Sequence, residues 1–127
     1  PVVVDESAQE WAGWAAEQIA ERGSVQWKTL ISRGLTPSEA LTAGVARIGP
    51  GGALRAHRHA PAEIYVILEG AGVVTIAGTA SDVGPGVTVF IPGHAVHSIE
   101  NRGDTELRFA YVLDADSFDD VQYVFDG

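Results

Sequence analysis

The stretch GGALRAHRHAPAEIYVILEG, residues 51–70, decides the fold. Successive residues of a strand point to opposite faces of a sheet, which predicts His57, His59 and Arg55 on one side. Ala60-Pro61 signals a turn. On the strand that follows, Glu63, Tyr65 and Ile67 share a side while Ile64, Val66 and Leu68 fill the other, so both faces are expected to be covered. A carboxylate in a covered strand needs a partner, because burying an unpaired charge is costly. A divalent metal ion answers that need. Imidazole nitrogens with a carboxylate oxygen form a borderline-hard ligand set suited to iron, zinc, nickel, cobalt or manganese.

The chain around this stretch has 127 residues, enough for one domain with a single core. Hydrophobic residues at 46% against 20% charged predict a globular chain, and 15 glycines favour many turns and strands. A net charge of -9 repels phosphate backbones and anionic lipid, and no basic cluster opposes it. Nucleic-acid and membrane partners are therefore not expected. Cysteine is absent, which excludes disulfides, thiolate chemistry and zinc-finger sites, leaving His and carboxylate as metal ligands. No apolar run approaches the roughly 18 to 20 residues that span a bilayer, and a cytoplasmic location is expected.

Working outward, residues 7–22 predict a helix: Ser7 and Glu10 form an S-x-x-E capping box, and Trp11, Trp14, Ala15 and Ile19 recur at helical spacing before Gly23. Residues 1–24 are read as an N-terminal helical segment packing on the main body or at a dimer interface, and residues 25–127 as a β-barrel domain. Strands are predicted over 25–31, 41–48, 54–59, 63–69, 72–77, 87–91, 96–100 and 106–113, with a last one near 121–125. Glycine, proline, Asn or Asp punctuates almost every junction, as at Gly49-Pro50-Gly51-Gly52 and Gly84-Pro85-Gly86. Short strands at near-regular spacing indicate an all-β antiparallel sandwich or barrel.

A second decisive stretch lies downstream in GVTVFIPGHAVHSIEN, residues 86–101. The first stretch fits G-x5-H-x-H-x3-E-x6-G through Gly51, His57, His59, Glu63 and Gly70. The second fits G-x5-P-x-G-x2-H-x3-N through Gly86, Pro92, His97 and Asn101, with His94 in place of the inner glycine. This pair of motifs resembles that of the cupin superfamily. The resemblance implies a small jelly-roll β-barrel with a divalent transition metal (Fe, Mn, Ni, Zn or Co) held by His57, His59, Glu63 and His97, and coordination positions left for substrate or water. Such an ion is a Lewis acid for an anionic substrate group. Asn101 reads as a turn former. Arg55, by parity on the ligand face, either steers a substrate carboxylate or ends in solvent, and His94 brings an extra imidazole near the site mouth.

Tyr65, two residues after Glu63, decides the chemistry. Its phenol either acts as a general base, its ionised form favoured by a nearby cation, or orients Glu63 through a hydrogen bond. HRHAPAEIYV, residues 57–66, with VQWKTL upstream and FDDVQY near the end, is similar to the small cupin-type dimethylsulfoniopropionate lyases. That resemblance implies a metal-bound substrate carboxylate, proton removal from the adjacent carbon by Tyr65, and loss of dimethyl sulfide to leave acrylate. The sulfonium end is a cation without hydrogen-bond donors, best held against aromatic faces. Trp27, Phe109, Tyr111 and Tyr123 are the candidates, with Arg55 as a further substrate contact. The competing readings are an iron-dependent dioxygenase, a polyketide cyclase-like cupin, and a non-catalytic binder of small carboxylates. A homodimer is expected, small cupins being commonly dimers.

Overall fold

Ten strands, each antiparallel to its neighbours, carry the architecture that the computed structural model describes for residues 1–125. In chain order they are β1 (Ala12–Gly13), β2 (Gln26–Ile31), β3 (Thr42–Ile48), β4 (Ala53–His57) and β5 (Glu63–Glu69). β6 (Gly72–Ile76), β7 (Thr79–Val83), β8 (Thr88–Ile91), β9 (His97–Glu100) and β10 (Leu107–Leu113) follow. They form a six-stranded sheet in the order β1-β2-β3-β10-β5-β8 and a four-stranded sheet in the order β4-β9-β6-β7. This is a jelly roll, as expected. The core lies between the sheets, where Ile48, Ile67, Leu107 and Leu113 of the large sheet join Val74 and Ile99 of the small one in a single cluster. Each such side chain contributes about 1.5–3 kcal/mol by leaving water. Residues 126 and 127 of the expected barrel domain lie outside the described residues.

The N-terminal segment departs from the helix expected over 7–22. Regular α-helix is confined to α1 (Ile19–Arg22), preceded by 3-10 turns at Glu6–Ala8 and Ala16–Gln18. Between those turns the chain is extended, with Ala12 and Gly13 paired to Trp27 and Gln26 of β2. The two tryptophans explain the outcome. On a helix, residues three apart share a face, whereas in an extended chain they point to opposite sides. Trp11 lies outside, its ring beneath Arg47 Cζ at 4.2 Å and Lys28 Nζ at 4.8 Å. Trp14 turns the other way, onto Trp27 at 4.8 Å between centroids. A mid-segment glycine, which disfavours helix by about 1 kcal/mol relative to alanine, points the same way. The capping box is not formed either: Asp5, not Ser7, caps the first turn by accepting from the Ser7 backbone N–H.

Two strand expectations also change. β7 was not anticipated, because Thr79–Val83 is short, polar and exposed except at Val83. It is an edge strand, joined to β6 by the two-residue turn Ala77-Gly78, both at positive φ (48° and 86°), as a type I′ hairpin requires. The final segment is not a strand. Phe118–Asp120 makes a 3-10 turn, and the chain then runs back to one isolated bridge, in which Arg58 and Val124 exchange two backbone hydrogen bonds of 3.0 Å.

Candidate metal centre and cavity

The two sheets meet at the site. His57 ends β4 and His97 begins β9, direct register partners in the small sheet. Glu63 opens β5 of the large sheet, and His59 sits on the connection that crosses between them. All four side chains are buried.

Each imidazole is oriented by the backbone nearby. The Nδ1 atoms of His57, His59 and His97 lie 2.7, 2.9 and 2.9 Å from the carbonyl oxygens of Arg55, Pro61 and Ala95. A carbonyl oxygen only accepts, so each Nδ1 carries the proton and a neutral ring keeps its lone pair on Nε2. The three rings gather their free ligand atoms within 4.8 Å of one another. His97 Nε2 is buried with no hydrogen-bond partner. Glu63 Oε1 lies 3.2 Å from His59 Nε2 and 3.5 Å from His97 Nε2. Lone pairs and a carboxylate converging in a buried space repel one another unless a proton or a metal ion lies among them. The donor set fits a divalent ion.

Ionisation follows the same logic. Burial, reinforced by the neighbouring His97, pulls His57 down to about 3, so it stays neutral at ordinary pH. Burial pushes the Glu63 carboxyl up, but with a proton on the facing Nε2 atoms the hydrogen bonds and positive charge of His59 and His97 outweigh it and hold it below the usual range. Burial, with Glu63 and Tyr123 nearby, raises Tyr65 well above a free phenol.

Beyond the histidines lies a cavity of about 290 Å³ into which both Glu63 and Tyr65 open. Strand parity holds on β5: Glu63, Tyr65 and Ile67 all point inward and are buried. Tyr65 stands 6.3 Å from the His97 ring and 4.7 Å from Phe109, between centroids, and makes no hydrogen bond with a described residue. Trp27, Phe109, Tyr111 and Tyr123, the four aromatic residues singled out in the sequence, all line this cavity.

Parity fails on β4, and with it the placement of Arg55. A bulge between Leu54 and His57 sets three steps of β4 against two of β9, so Leu54 and His57 both turn inward. Arg55 is thereby rotated outward, exposed beside a separate groove with Ser98 and Arg102. His94 is likewise outside the cluster. It takes φ 65° where the motif carries glycine, is exposed, and donates its backbone N–H to the His59 carbonyl at 2.7 Å. Asn101 is buried and closes its own turn, donating to the carbonyls of Ile48 and Thr105.

Four aromatic or charged neighbours of the cavity or the histidines are not marked by the sequence motifs: Trp14, Arg22, Phe118 and Phe125. Phe125 stacks on His57 at 4.9 Å between centroids, and Tyr123 lies 5.6 Å from the same ring. The i, i+2 spacing of Tyr123 and Phe125 in an extended segment was a readable sign that both face one way. Nothing local marks Arg22, whose position depends on where a one-turn helix lands.

Comparison with known proteins agrees with this geometry. A family model described as a cupin domain matches residues 44–114. The chain is 43% identical over 103 residues to dimethylsulfoniopropionate lyase DddW of Ruegeria pomeroyi, covering 81% of this chain and 67% of that protein. It is 32% identical over 93 residues to an oxalate-binding protein of Thermotoga maritima, covering 72% and 77%. Among solved structures, a cupin-2 domain protein of Rhodospirillum rubrum superposes with a TM-score of 0.76 at 28% identity, over 94% of this chain and 77% of that one. A jelly roll whose motif histidines converge where its two sheets meet, matched by that family model over more than half its length, belongs to the cupin family.

Proposed function

We propose that this cupin is a metal-dependent carbon–sulfur lyase that cleaves dimethylsulfoniopropionate to dimethyl sulfide and acrylate. The observation that carries the reading is the shared opening of Glu63 and Tyr65 into one aromatic cavity, in a chain 43% identical to a lyase of that substrate. His57, His59, Glu63 and His97 would hold the ion, which supplies a Lewis acid for the substrate carboxylate. Tyr65 Oη removes a proton from the carbon next to that carboxylate. The C–H electron pair becomes the C=C bond, the C–S bond breaks, and its pair leaves with sulfur as neutral dimethyl sulfide.

Burial alone keeps Tyr65 protonated. The phenol therefore serves as a base only when positive charge at the histidines opposes that burial. The Trp14 ring already carries Arg22, so a sulfonium falls to Trp27, Phe109, Tyr111 and Tyr123, each such contact contributing about 0.5–2 kcal/mol.

The test is to load the protein with Fe, Mn, Ni or Zn and assay acrylate and dimethyl sulfide; no turnover above the metal-free protein overturns the reading. The resemblance to an oxalate-binding protein favours a second reading, a non-catalytic binder of small carboxylates. In that case carboxylates raise the melting temperature and none is transformed.

We also read the protein as a cytoplasmic homodimer. No helix among the described residues is long and apolar enough to cross a membrane. Trp11 and Trp14 are engaged within the chain, so the dimer contact passes to the outward Ile64, Leu68 and Phe90 of β5 and β8, which gel filtration of Phe90→Ser against wild type tests.

A further inference from the structure

Arg22 is the one cation among the residues lining the cavity, and Glu63 the one anion. It ends α1, with its Cζ 4.7 Å from the Trp14 centroid and 4.9 Å from that of Phe125. The two rings hold the guanidinium in place and offer it no acceptor. Its Nε is buried without a partner, and the side chain makes no hydrogen bond or ion pair with any described residue. Its two Nη nitrogens therefore keep accessible surface. In a chain of net charge -9, a half-buried arginine lacking a carboxylate partner is conspicuous, because Arg47 and Arg108, also at intermediate exposure, meet Glu106 and Glu6.

We propose that Arg22 is a second anion anchor, and that the cavity binds small dicarboxylates with one carboxylate at the histidine end and the other on the Arg22 fork. Phe125 connects the two ends, since it touches Arg22 on one hand and stacks on His57 at 4.9 Å on the other. A ligand of a few carbon atoms spans a cavity of this size. A planar guanidinium already fixed by ring contacts loses little freedom on gripping a carboxylate in bidentate fashion. The inference shares with the lyase reading only the carboxylate at the histidine end, and needs no turnover.

The experiment is calorimetric titration of the zinc-loaded protein with succinate and with propionate, which differ by the second carboxylate. Wild type is expected to bind succinate at least about tenfold more tightly, a charge-assisted bidentate contact being of that order, and Arg22→Gln to bring the two ligands level. Equal binding by wild type, or an unchanged preference in Arg22→Gln, overturns the proposal. Tryptophan fluorescence of wild type is the second readout: succinate on Arg22 shifts the emission of the adjacent Trp14, and propionate does not. If Arg22→Gln fails to fold, absence of that ligand-specific shift overturns the proposal in its place. Failure of the lyase assay alongside a succinate preference removes the lyase reading and leaves Arg22 as assigned.

Discussion

His57 and His97 are register partners across β4 and β9, with ring centroids 4.2 Å apart and each Nδ1 bound to the carbonyl two residues earlier in the chain. The same local bond on both rings turns both Nε2 atoms into the three-histidine cluster, where His97 Nε2 lies 3.5 Å from Glu63 Oε1. Neither ring can be satisfied by the other, since two lone pairs do not bond. The pair is therefore a cost of folding that a bound cation removes.

That cost has a pH signature in the metal-free protein. His57 is held down to about 3 in the folded chain, against 6.5 for its ordinary value, so between those limits the unfolded chain binds a proton that the folded chain refuses. Its contribution is fully present above the unfolded value and is lost as pH falls through the window. Urea midpoints in chelator at pH 7, 5 and 4 are expected to fall in that order, and His57→Gln to flatten the fall. An unchanged slope in the variant would exclude His57 as its source.

Tyr65→Phe separates the two roles open to this residue. The hydroxyl makes no hydrogen bond with a described residue, so its removal leaves the packing against Phe109 intact and metal content unchanged. Turnover is expected to drop by about 10²- to 10⁴-fold, the usual range for loss of a general base. A variant that keeps full turnover with its metal removes Tyr65 from the proton transfer.

Much of this site was legible because its information is local. The two motifs name His57, His59, Glu63 and His97 outright, and period-2 alternation correctly turns Tyr65 inward with Glu63. Arg55 was misplaced by the same alternation rule, because a bulge adds one residue to β4 without any glycine to announce it. The N-terminal helix failed for a different reason. Trp11 and Trp14 satisfy helical spacing, but the cations under one and the cavity under the other lie on opposite sides, a fact belonging to β2, β3 and β10 rather than to residues 7–22. Tertiary partners decided what local periodicity could not.

The β6–β7 hairpin offers a stability test away from the site. Ala77 is exposed at φ 48°, where an L side chain other than Asn or Asp is disfavoured. Followed by Gly78, asparagine at this position completes the Asn-Gly pair that a type I′ turn prefers. Ala77→Asn is expected to stabilise the protein by about 1 kcal/mol in urea unfolding with turnover unchanged. A loss of stability would show that the turn is not type I′ in solution.

Phe125 closes the histidines from outside. It stacks on His57 with an interplanar angle of 27°, and the segment carrying it is tied to Arg58, between His57 and His59, by two backbone hydrogen bonds. The orientation of His57 does not depend on this cover, because the Arg55 carbonyl supplies it. Phe125→Ala should therefore alter the rate of metal exchange more than the affinity. Losing the ring removes about 0.5–1.5 kcal/mol of aromatic contact and opens a path for water, so transfer of zinc to a chelator is expected to quicken about tenfold. Entry quickens with exit, and the equilibrium constant stays within about threefold of wild type. Stopped-flow transfer to a coloured chelator reads both quantities. If affinity falls while the exit rate is unchanged, Phe125 acts by shaping the ligand set and not by covering it.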